Sequence, residues 1–226
     1  LVAKTGNEQG PTSLLAKLLW IKKHQPEIFS KTNCLLPGAS DYVVFRMTGE
    51  KATDTTTAST TGLMELVERK WIDDALFNKM GLQGVQTLLP KLFDGGAKIG
   101  ELQKKAATDL GIPAGLPVFL GPGDAGSATI GAGCGVPGKA YAYIGTSGWV
   151  AFAEKQPADP TTGVITLSHP KCDHFIQVAP LLTAGGNLEW AKSLSNFESY
   201  DSLINDAISS PLSNLIFLPY LKGERS

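Results

Sequence analysis

The chain has 226 residues, which is long enough for one large domain or for parts of two. Its 20 Lys and Arg against 21 Asp and Glu give a formal net charge of −1, so no basic excess favours nucleic acid, and its apolar runs are far shorter than a bilayer span. Three widely separated cysteines argue against a disulfide framework and for a reducing compartment. We therefore expect a cytoplasmic protein whose partners include neither nucleic acid nor a membrane.

The two ends of the sequence suggest an excerpt from a longer protein. The first residue, Leu1, is not a methionine and does not begin a secretory signal. The last residues, 221–226, follow an apolar run of strand character and have the composition of a loop. We therefore expect further sequence on both sides.

The first half of the chain predicts helices separated by polar segments. Thr12 or Ser13 is a suitable N-cap for a helix that runs to about His24, and Pro26 is its stop signal. Segment 51–62 (KATDTTTASTTG) is poor in large apolar groups, so we interpret it as an ordered polar loop. Further helices are predicted at 41–47, 71–80 and 102–110.

From Pro117 onward the pattern changes to strands and turns of small residues. Strands are predicted at 118–120, 140–144, 149–153, 163–167, 175–178 and 215–218, and helices at 125–133, 186–194 and 200–209. The mixture of hairpins and helix-separated strands predicts an α/β fold. The turn at 136–138 is the best candidate boundary, and it divides the chain into segments 1–136 and 137–226.

Two nucleotide-binding motifs are matched only in part. The glycines at 121, 123 and 126 follow a strand as in a dinucleotide fingerprint, yet no acidic residue lies between Asp124 and Glu154 to bind a ribose, and a carboxylate in the loop would repel a pyrophosphate. Residues 133–140 (GCGVPGKA) approximate the phosphate loop of nucleoside triphosphatases, but Ala140 replaces the hydroxyl that coordinates magnesium. We reject both motifs, and a dehydrogenase remains only as a third alternative, which a lack of NAD binding would exclude.

Asp124 is the one charged residue of this glycine turn. It follows an apolar strand, at the edge where ligands approach an α/β sheet. A carboxylate there could accept the proton of a hydroxyl that attacks phosphorus. The alternative is a helix N-cap, a position that Asp fills well. The local sequence leaves both roles open.

The segment Gly145-Thr146-Ser147-Gly148 is predicted at the tip of a hairpin. Backbone amides and two hydroxyls at such a tip could form an anion-binding nest for phosphates. The alternative is an ordinary polar turn.

A longer stretch, PGDAGSATIGAGCGVPGKAYAYIGTSG (residues 122–148), resembles the central segment of the FGGY family of carbohydrate kinases, with the xylulokinases as the most similar branch. In that family a Gly-Asp turn, a helix of small residues, a Pro-Gly turn and a strand into Gly-Thr-Ser/Gly-Gly occur in this order. Further pieces agree in the family's order over nearly the whole chain: Thr5–Asn7, Lys17–Ile21, Asp41–Glu50, Thr53–Ser59, Ala184–Trp190 and Leu218–Arg225.

The resemblance implies an actin-like ATPase, or ribonuclease H-like, fold with two lobes around a cleft. It places the sugar on the lobe that contains 1–136 and ATP mainly on the lobe that begins with 137–226, with Mg²⁺ bridging the nucleotide. Asp124 then matches the family's general base. The other residues that it implicates are Ala125 on the sugar side and Gly145, Thr146, Ser147, Gly148, Gly185 and Glu189 on the nucleotide side.

The chain departs from the family pattern both at single positions and by the lack of whole segments. Ala125 stands where xylulokinases carry Asn and glycerol kinases carry Gln, and Glu189 stands where glycerol kinases carry Gln. The family's amino-terminal strands with their Asp-x-Gly-Thr loop, and its carboxyl-terminal adenine site, have no counterpart in the sequence. We therefore expect this polypeptide to be inactive by itself.

Other clusters in the sequence are given structural roles. His169, Cys172 and His174 have a spacing that zinc sites use, but no fourth ligand is evident, and we predict no side-chain metal site. The four tryptophans are predicted to pack in the core, and Trp149, beside the hairpin tip, is the one that we consider most closely as a ligand contact.

The function predicted from these patterns is ATP-dependent phosphorylation of a sugar or polyol hydroxyl, with a ketopentose such as xylulose as the substrate. The alternative is a non-catalytic sugar-binding or regulatory protein that retains the kinase fold. The partner is a small-molecule sugar or polyol, and a homodimer is compatible with this assignment.

Overall fold

The computed structural model describes residues 1–171 and 173–223, in which helices alternate with four small sheets. The helices are α1 Val2–Thr5, α2 Leu14–His24, α3 Pro26–Lys31, α4 Ala39–Thr48, α5 Thr55–Ser59, α6 Asp74–Lys79, α7 Lys104–Leu110, α8 Gly123–Gly131, α9 Gly185–Ser193 and α10 Tyr200–Ser209. The strands are β1 Ala52–Asp54, β2 Met64–Glu65, β3 Lys70–Trp71, β4 Lys91–Phe93, β5 Lys98–Glu101, β6 Pro117–Phe119, β7 Ala140–Ile144, β8 Gly148–Glu154, β9 Ile165–Ser168 and β10 Phe175–Leu181.

Helix α2 illustrates how the sequence signals act locally. The Ser13 side chain accepts a hydrogen bond from the Ala16 N–H and caps the helix, as predicted. Leu15 and Leu18, one helical turn apart, are buried in a core that also contains Phe77. Among the described helices, none is long and apolar enough to cross a bilayer.

A second core lies under the short strands of the first segment. Strands β1 and β4 are parallel, whereas β5 and β6 are antiparallel. Leu120, directly after β6, is fully buried and packs in a cluster with Val44, Ala52 and Val118. This cluster fixes the end of β6, from which the turn with Asp124 starts.

The Thr-rich segment 51–62 is not the polar loop that its composition predicts. It forms β1 and α5, and most of its side chains are buried. The buried hydroxyl of Thr61 is satisfied locally, by donating to the Ala58 oxygen at 2.6 Å. Asp54 caps the helix by accepting a hydrogen bond from the Thr57 N–H.

The second segment is built around one antiparallel sheet with the strand order β7-β8-β10-β9. The hairpin of β7 and β8 confirms the prediction, and its register pairs Ile144 with Gly148. Ala151, Leu167 and Ile176 form the core of this sheet, and Ala125 of α8 packs against them. The sheet therefore lies directly behind the helix that carries Asp124.

Several predicted elements differ from the structure. The helix expected from Trp71 begins only at Asp74, because Asp73 is its N-cap. The strand expected at 215–218 has no regular structure, and the side chains of Leu215 and Ile216 are each 88% exposed. A strand needs a partner for its backbone groups, and the described residues offer none to this run.

Side chains of the first segment hold the edge strand β9 of the second. The Asn7 Nδ2 donates to the Thr166 oxygen, and the Thr166 N–H donates to the Asn7 Oδ1, both at 2.7 Å. Two residues along the strand, the Ser168 N–H donates to the Ser59 Oγ at 3.1 Å. The two segments are thus joined by direct hydrogen bonds as well as by the connecting chain.

Candidate active site

Asp124 lies in the first turn of α8, after β6 and a glycine turn. Pro122 occupies the N-cap position, so the interpretation of Asp124 as the helix cap is wrong. Asp124 is exposed, and its Oδ1 accepts a hydrogen bond from the Ala125 N–H at 2.7 Å. The carboxylate is therefore accessible to a ligand, while the bond to the backbone restricts its orientation.

The glycines around Asp124 are explained by close packing on α5. Gly123 has a φ of +59°, and a Cβ at this position would lie 2.8 Å from the Thr57 Oγ1. A Cβ on Gly126 would lie 3.0 Å from the Pro122 Cβ and 3.3 Å from the Thr56 Cγ2. Two of the three glycines of the apparent dinucleotide fingerprint, Gly123 and Gly126, are therefore explained by the contact between α8 and α5.

Two cavities adjoin Asp124. One has a volume of about 490 Å³ and the other of about 530 Å³, and both include residues from the two segments. Both volumes fall in the range of small-molecule sites. Asp124, Ala125, Thr60 and Leu167 line both cavities, the first with Thr56, Thr57 and Ser127 and the second with Asn7, Glu8, Thr12, Tyr141 and Trp149.

One wall of the larger cavity is aromatic. Trp149 stacks on Tyr143 with 4.0 Å between the ring centroids, and its Nε1 donates to the Tyr141 hydroxyl at 3.3 Å. The same hydroxyl lies 3.3 Å from the Thr129 Oγ1 of α8. Trp149 is therefore a wall of the cavity that contains Asp124, and not only a core residue.

The hairpin tip at 145–148 contacts the start of α9. The Gly145 oxygen accepts a hydrogen bond from the Gly185 N–H at 2.8 Å. The Thr146 oxygen accepts from the Ala184 N–H at 2.9 Å and from the Gly186 N–H at 3.2 Å. The fold thus brings together two segments that are about 40 residues apart in the sequence.

The glycines of this contact are needed for close approach. A Cβ on Gly185 would lie 2.7 Å from the Gly145 oxygen, and one on Gly148 would lie 2.7 Å from the Tyr143 oxygen. Thr146 and Ser147 are exposed at the tip. The tip carbonyls thus bond to the first amides of α9, while the hydroxyl residues Thr146 and Ser147 stay exposed.

The model of the FGGY family of carbohydrate kinases, N-terminal domain, matches residues 1–131, which is more than half of the chain. The chain belongs to the FGGY family of carbohydrate kinases. The family resemblance inferred from residues 122–148 is therefore confirmed.

Relatives in this family are similar over nearly the whole chain. The xylulose kinase of Bacillus subtilis (strain 168) is 34% identical over 217 residues, which are 94% of this chain and 42% of that protein. The ligand-bound xylulose kinase of Lactobacillus acidophilus has a TM-score of 0.89 and 31% identity, covering 100% of this chain and 46% of that one. The gluconate kinase of the same organism also gives 0.89, with 30% identity and the same coverage. The chain therefore spans about half the length of the relatives it matches, and the predicted actin-like fold is confirmed.

The structure brings together some of the site residues that the family resemblance predicts. Asp124 and Ala125 share both cavities, and Gly185 contacts the 145–148 tip. Glu189 is exposed on α9, one turn beyond Gly185. Sequence reasoning missed Thr57, whose contact with Gly123 has no local signal because 66 residues separate the two.

A guanidinium group holds the described residues 169–171 and 173–174 of this FGGY chain, here called the histidine loop. Arg69 donates to the carbonyl oxygens of His169 at 2.9 Å, Lys171 at 3.0 Å and His174 at 2.9 Å. Within residues 1–171 and 173–223, no three His, Cys, Asp or Glu side chains are grouped to hold a metal ion, and Cys172 lies outside the described residues.

We expect the stability of this loop to depend on pH through His169. Burial, together with the nearby His174 and Arg69, lowers the pKa of the His169 imidazole below its ordinary value of 6.5. As the pH falls through 6.5, the His169 imidazole becomes protonated in the unfolded chain but stays neutral in the folded chain down to its lower pKa. The unfolded chain is therefore favoured, and the stabilisation present above pH 6.5 is lost. Asp173, whose pKa is lowered mainly by its hydrogen bond to His174, and Lys171 are the other charged groups of the loop.

The measurement compares the melting temperatures of wild type, His169→Gln and His24→Gln between pH 7.5 and 5.5. His24 is an exposed histidine of α2 that serves as the matched control. The fall in melting temperature with pH should be smaller in His169→Gln than in the other two proteins. Equal slopes in all three would contradict the role of His169.

Proposed function

We propose that the protein carrying this chain transfers the γ-phosphoryl group of ATP to a hydroxyl of a sugar or polyol, with a ketopentose such as xylulose as the substrate. The observation that carries the proposal is an exposed carboxylate, Asp124, at the start of α8 in a cavity lined by both segments. Membership of the FGGY family and the xylulose kinases among the relatives support it.

In this proposal Asp124 is the general base. Its carboxylate accepts the proton from the attacking sugar hydroxyl as the oxygen–phosphorus bond forms and the bond from the γ-phosphorus to the bridging oxygen of ATP breaks, releasing ADP. The small side chain of Ala125 leaves room for the sugar beside the base. Trp149 closes the apolar side of the cavity, where it can cover the carbon face of a sugar.

The hairpin tip is proposed to face the nucleotide phosphates. Glycine at 145 and 185 permits close approach, and the exposed hydroxyls of Thr146 and Ser147 suit phosphate oxygens. We assign Gly148 and Glu189 to the same side. Mg²⁺, bound chiefly through the phosphates and water, would neutralise charge during transfer. We place the division between the sugar and nucleotide lobes at residues 136–137, close to the end of the family match at 131.

One observation favours a second function. Ala125 has no polar group, whereas the family resemblance led us to expect an amide next to the base. A site with one hydrogen-bond partner fewer suits a sugar-binding or regulatory protein that keeps the kinase fold.

The test is ADP release by the protein expressed from its complete gene, with ATP, Mg²⁺ and a panel of ketopentoses, polyols and gluconate. We expect turnover that depends on one class of acceptor, with a ketopentose preferred. A folded protein that binds sugar, as followed by a change in its tryptophan fluorescence, but releases no ADP with any acceptor would support the binding protein instead.

A further inference from the structure

The Thr-rich segment contains a buried carboxylate that bonds to one threonine twice. Asp54 is fully buried, its Oδ1 accepts from the Thr57 N–H at 2.9 Å, and its Oδ2 accepts from the Thr57 hydroxyl at 2.5 Å. Burial raises the pKa of the Asp54 carboxyl, and the hydrogen bonds from Thr57 act in the opposite direction. A helix cap requires only the hydrogen bond from the backbone N–H, so the second bond, from the Thr57 hydroxyl, is additional to the cap.

The Thr57 side chain supports the turn that carries Asp124. Its Oγ1 lies 2.8 Å from the position that a Cβ on Gly123 would take, so the turn rests on the hydroxyl with no side chain between them. The Thr57 hydroxyl hydrogen points to Asp54, so it is the oxygen atom itself that faces Gly123. Thr57 and Asp124 also line the same 490 Å³ cavity.

The other end of α5 is fixed to the sheet behind the site. The Ser59 Oγ accepts from the Ser168 N–H of β9, and Leu167 of the same strand lines both cavities at Asp124. Helix α5 is thus held at its start by Asp54 and near its end by β9. Because α5 is held at both ends, we expect a change at Thr57 to displace the 123–124 turn that packs on it.

We propose that Asp54 and Thr57 are positioning residues, which set the location of the 123–124 turn and thereby hold the Asp124 carboxylate at the distance at which it accepts the proton of the substrate hydroxyl. The inference rests on the proposed function of Asp124 as the base. It gives the threonine-rich segment a role in the reaction, although neither side chain needs to touch the substrate.

The test compares Thr57→Val, Thr57→Ser and Asp54→Asn in the protein from the complete gene. Valine keeps the shape but places a methyl group against Gly123 and leaves Asp54 with one hydrogen bond fewer, so kcat should fall about 10- to 100-fold while KM for ATP and sugar changes less than about twofold. Serine keeps the hydroxyl and should retain kcat within about threefold. Asparagine keeps the cap but cannot accept the hydroxyl bond through its NH₂ group, so kcat should fall in the same direction.

Thr108→Val is the matched control, since Thr108 is an exposed helical threonine whose hydroxyl bonds to the Lys104 oxygen one turn earlier. A kcat of Thr57→Val and Asp54→Asn equal to that of the control would overturn the inference and leave the proposed function intact. A parallel loss of kcat, melting temperature and both KM values, not rescued by serine, would reduce the pair to a structural role. A wild type that turns over no acceptor would overturn the proposed function, and this inference with it.

Discussion

The Asp124→Asn variant is expected to lose about 10²- to 10⁴-fold of the sugar-dependent ADP release while it melts at the wild-type temperature. Asparagine has nearly the same shape and can keep the hydrogen bond from the Ala125 N–H, but its amide oxygen is too weak a base to accept a proton from the attacking hydroxyl. The loss should appear in kcat, with KM for ATP nearly unchanged, because the side chain acts in the transition state.

The matched control for this substitution is Asp201→Asn. Asp201 is also an exposed aspartate in the first turn of a helix, α10, and it lines none of the cavities at Asp124. It should keep wild-type turnover. If Asp124→Asn retained turnover as well, the carboxylate would not be the base, and its role would be restricted to the hydrogen bond with its own helix.

The Arg69→Met variant is expected to lose about 2 to 4 kcal/mol of unfolding free energy. The Arg69 side chain is 11% exposed and donates to three carbonyl oxygens of the histidine loop, with Asp94 at 3.5 Å as its ion-pair partner. Methionine has a similar length but no donor, so the three oxygens lose their shared partner. The unfolding free energy of Arg69→Lys should lie between those of wild type and Arg69→Met, because a single ammonium group lacks the planar fork of donors that reaches three acceptors.

Urea denaturation of Arg69→Met beside Lys70→Met measures this effect. The Lys70 side chain is 60% exposed, and its Nζ lies 3.9 Å from the Glu65 carboxylate, so its removal should change the unfolding free energy by less than about 1 kcal/mol. Equal midpoints for the two variants would show that the loop is held by other contacts.

The elements with strong local signals were predictable from the sequence. Ser13 caps α2 as expected, and the hairpin of β7 and β8 has its tip where glycines flank two hydroxyl residues. The segment 51–62 was not predictable, because threonine suits a loop, a strand or a cap, and the outcome depends on burial beneath α8. The run 215–218 has a strand's composition, but no neighbour among the described residues pairs with it.

The candidate site likewise has one part that was predictable from the sequence and one part that was not. Asp124 stands out in the sequence because a lone carboxylate follows an apolar strand and a glycine turn. The reason for the glycines, and the role of Thr57, depends on a contact between residues 57 and 123, and the wall at Trp149 depends on how a later sheet packs on α8. Such contacts arise from tertiary packing, and no spacing along the chain encodes them.

The pairing of Asn7 with Thr166 also affects how the molecule behaves in a crowded solution. An edge strand with free amides and carbonyls is a template on which another chain can add a strand and begin to aggregate. Here the Asn7 amide offers β9 one donor and one acceptor, as a neighbouring strand would, and the Ser59 hydroxyl accepts from the next outward amide. Two side chains from a distant part of the sequence thus close this edge of the sheet to intruding strands.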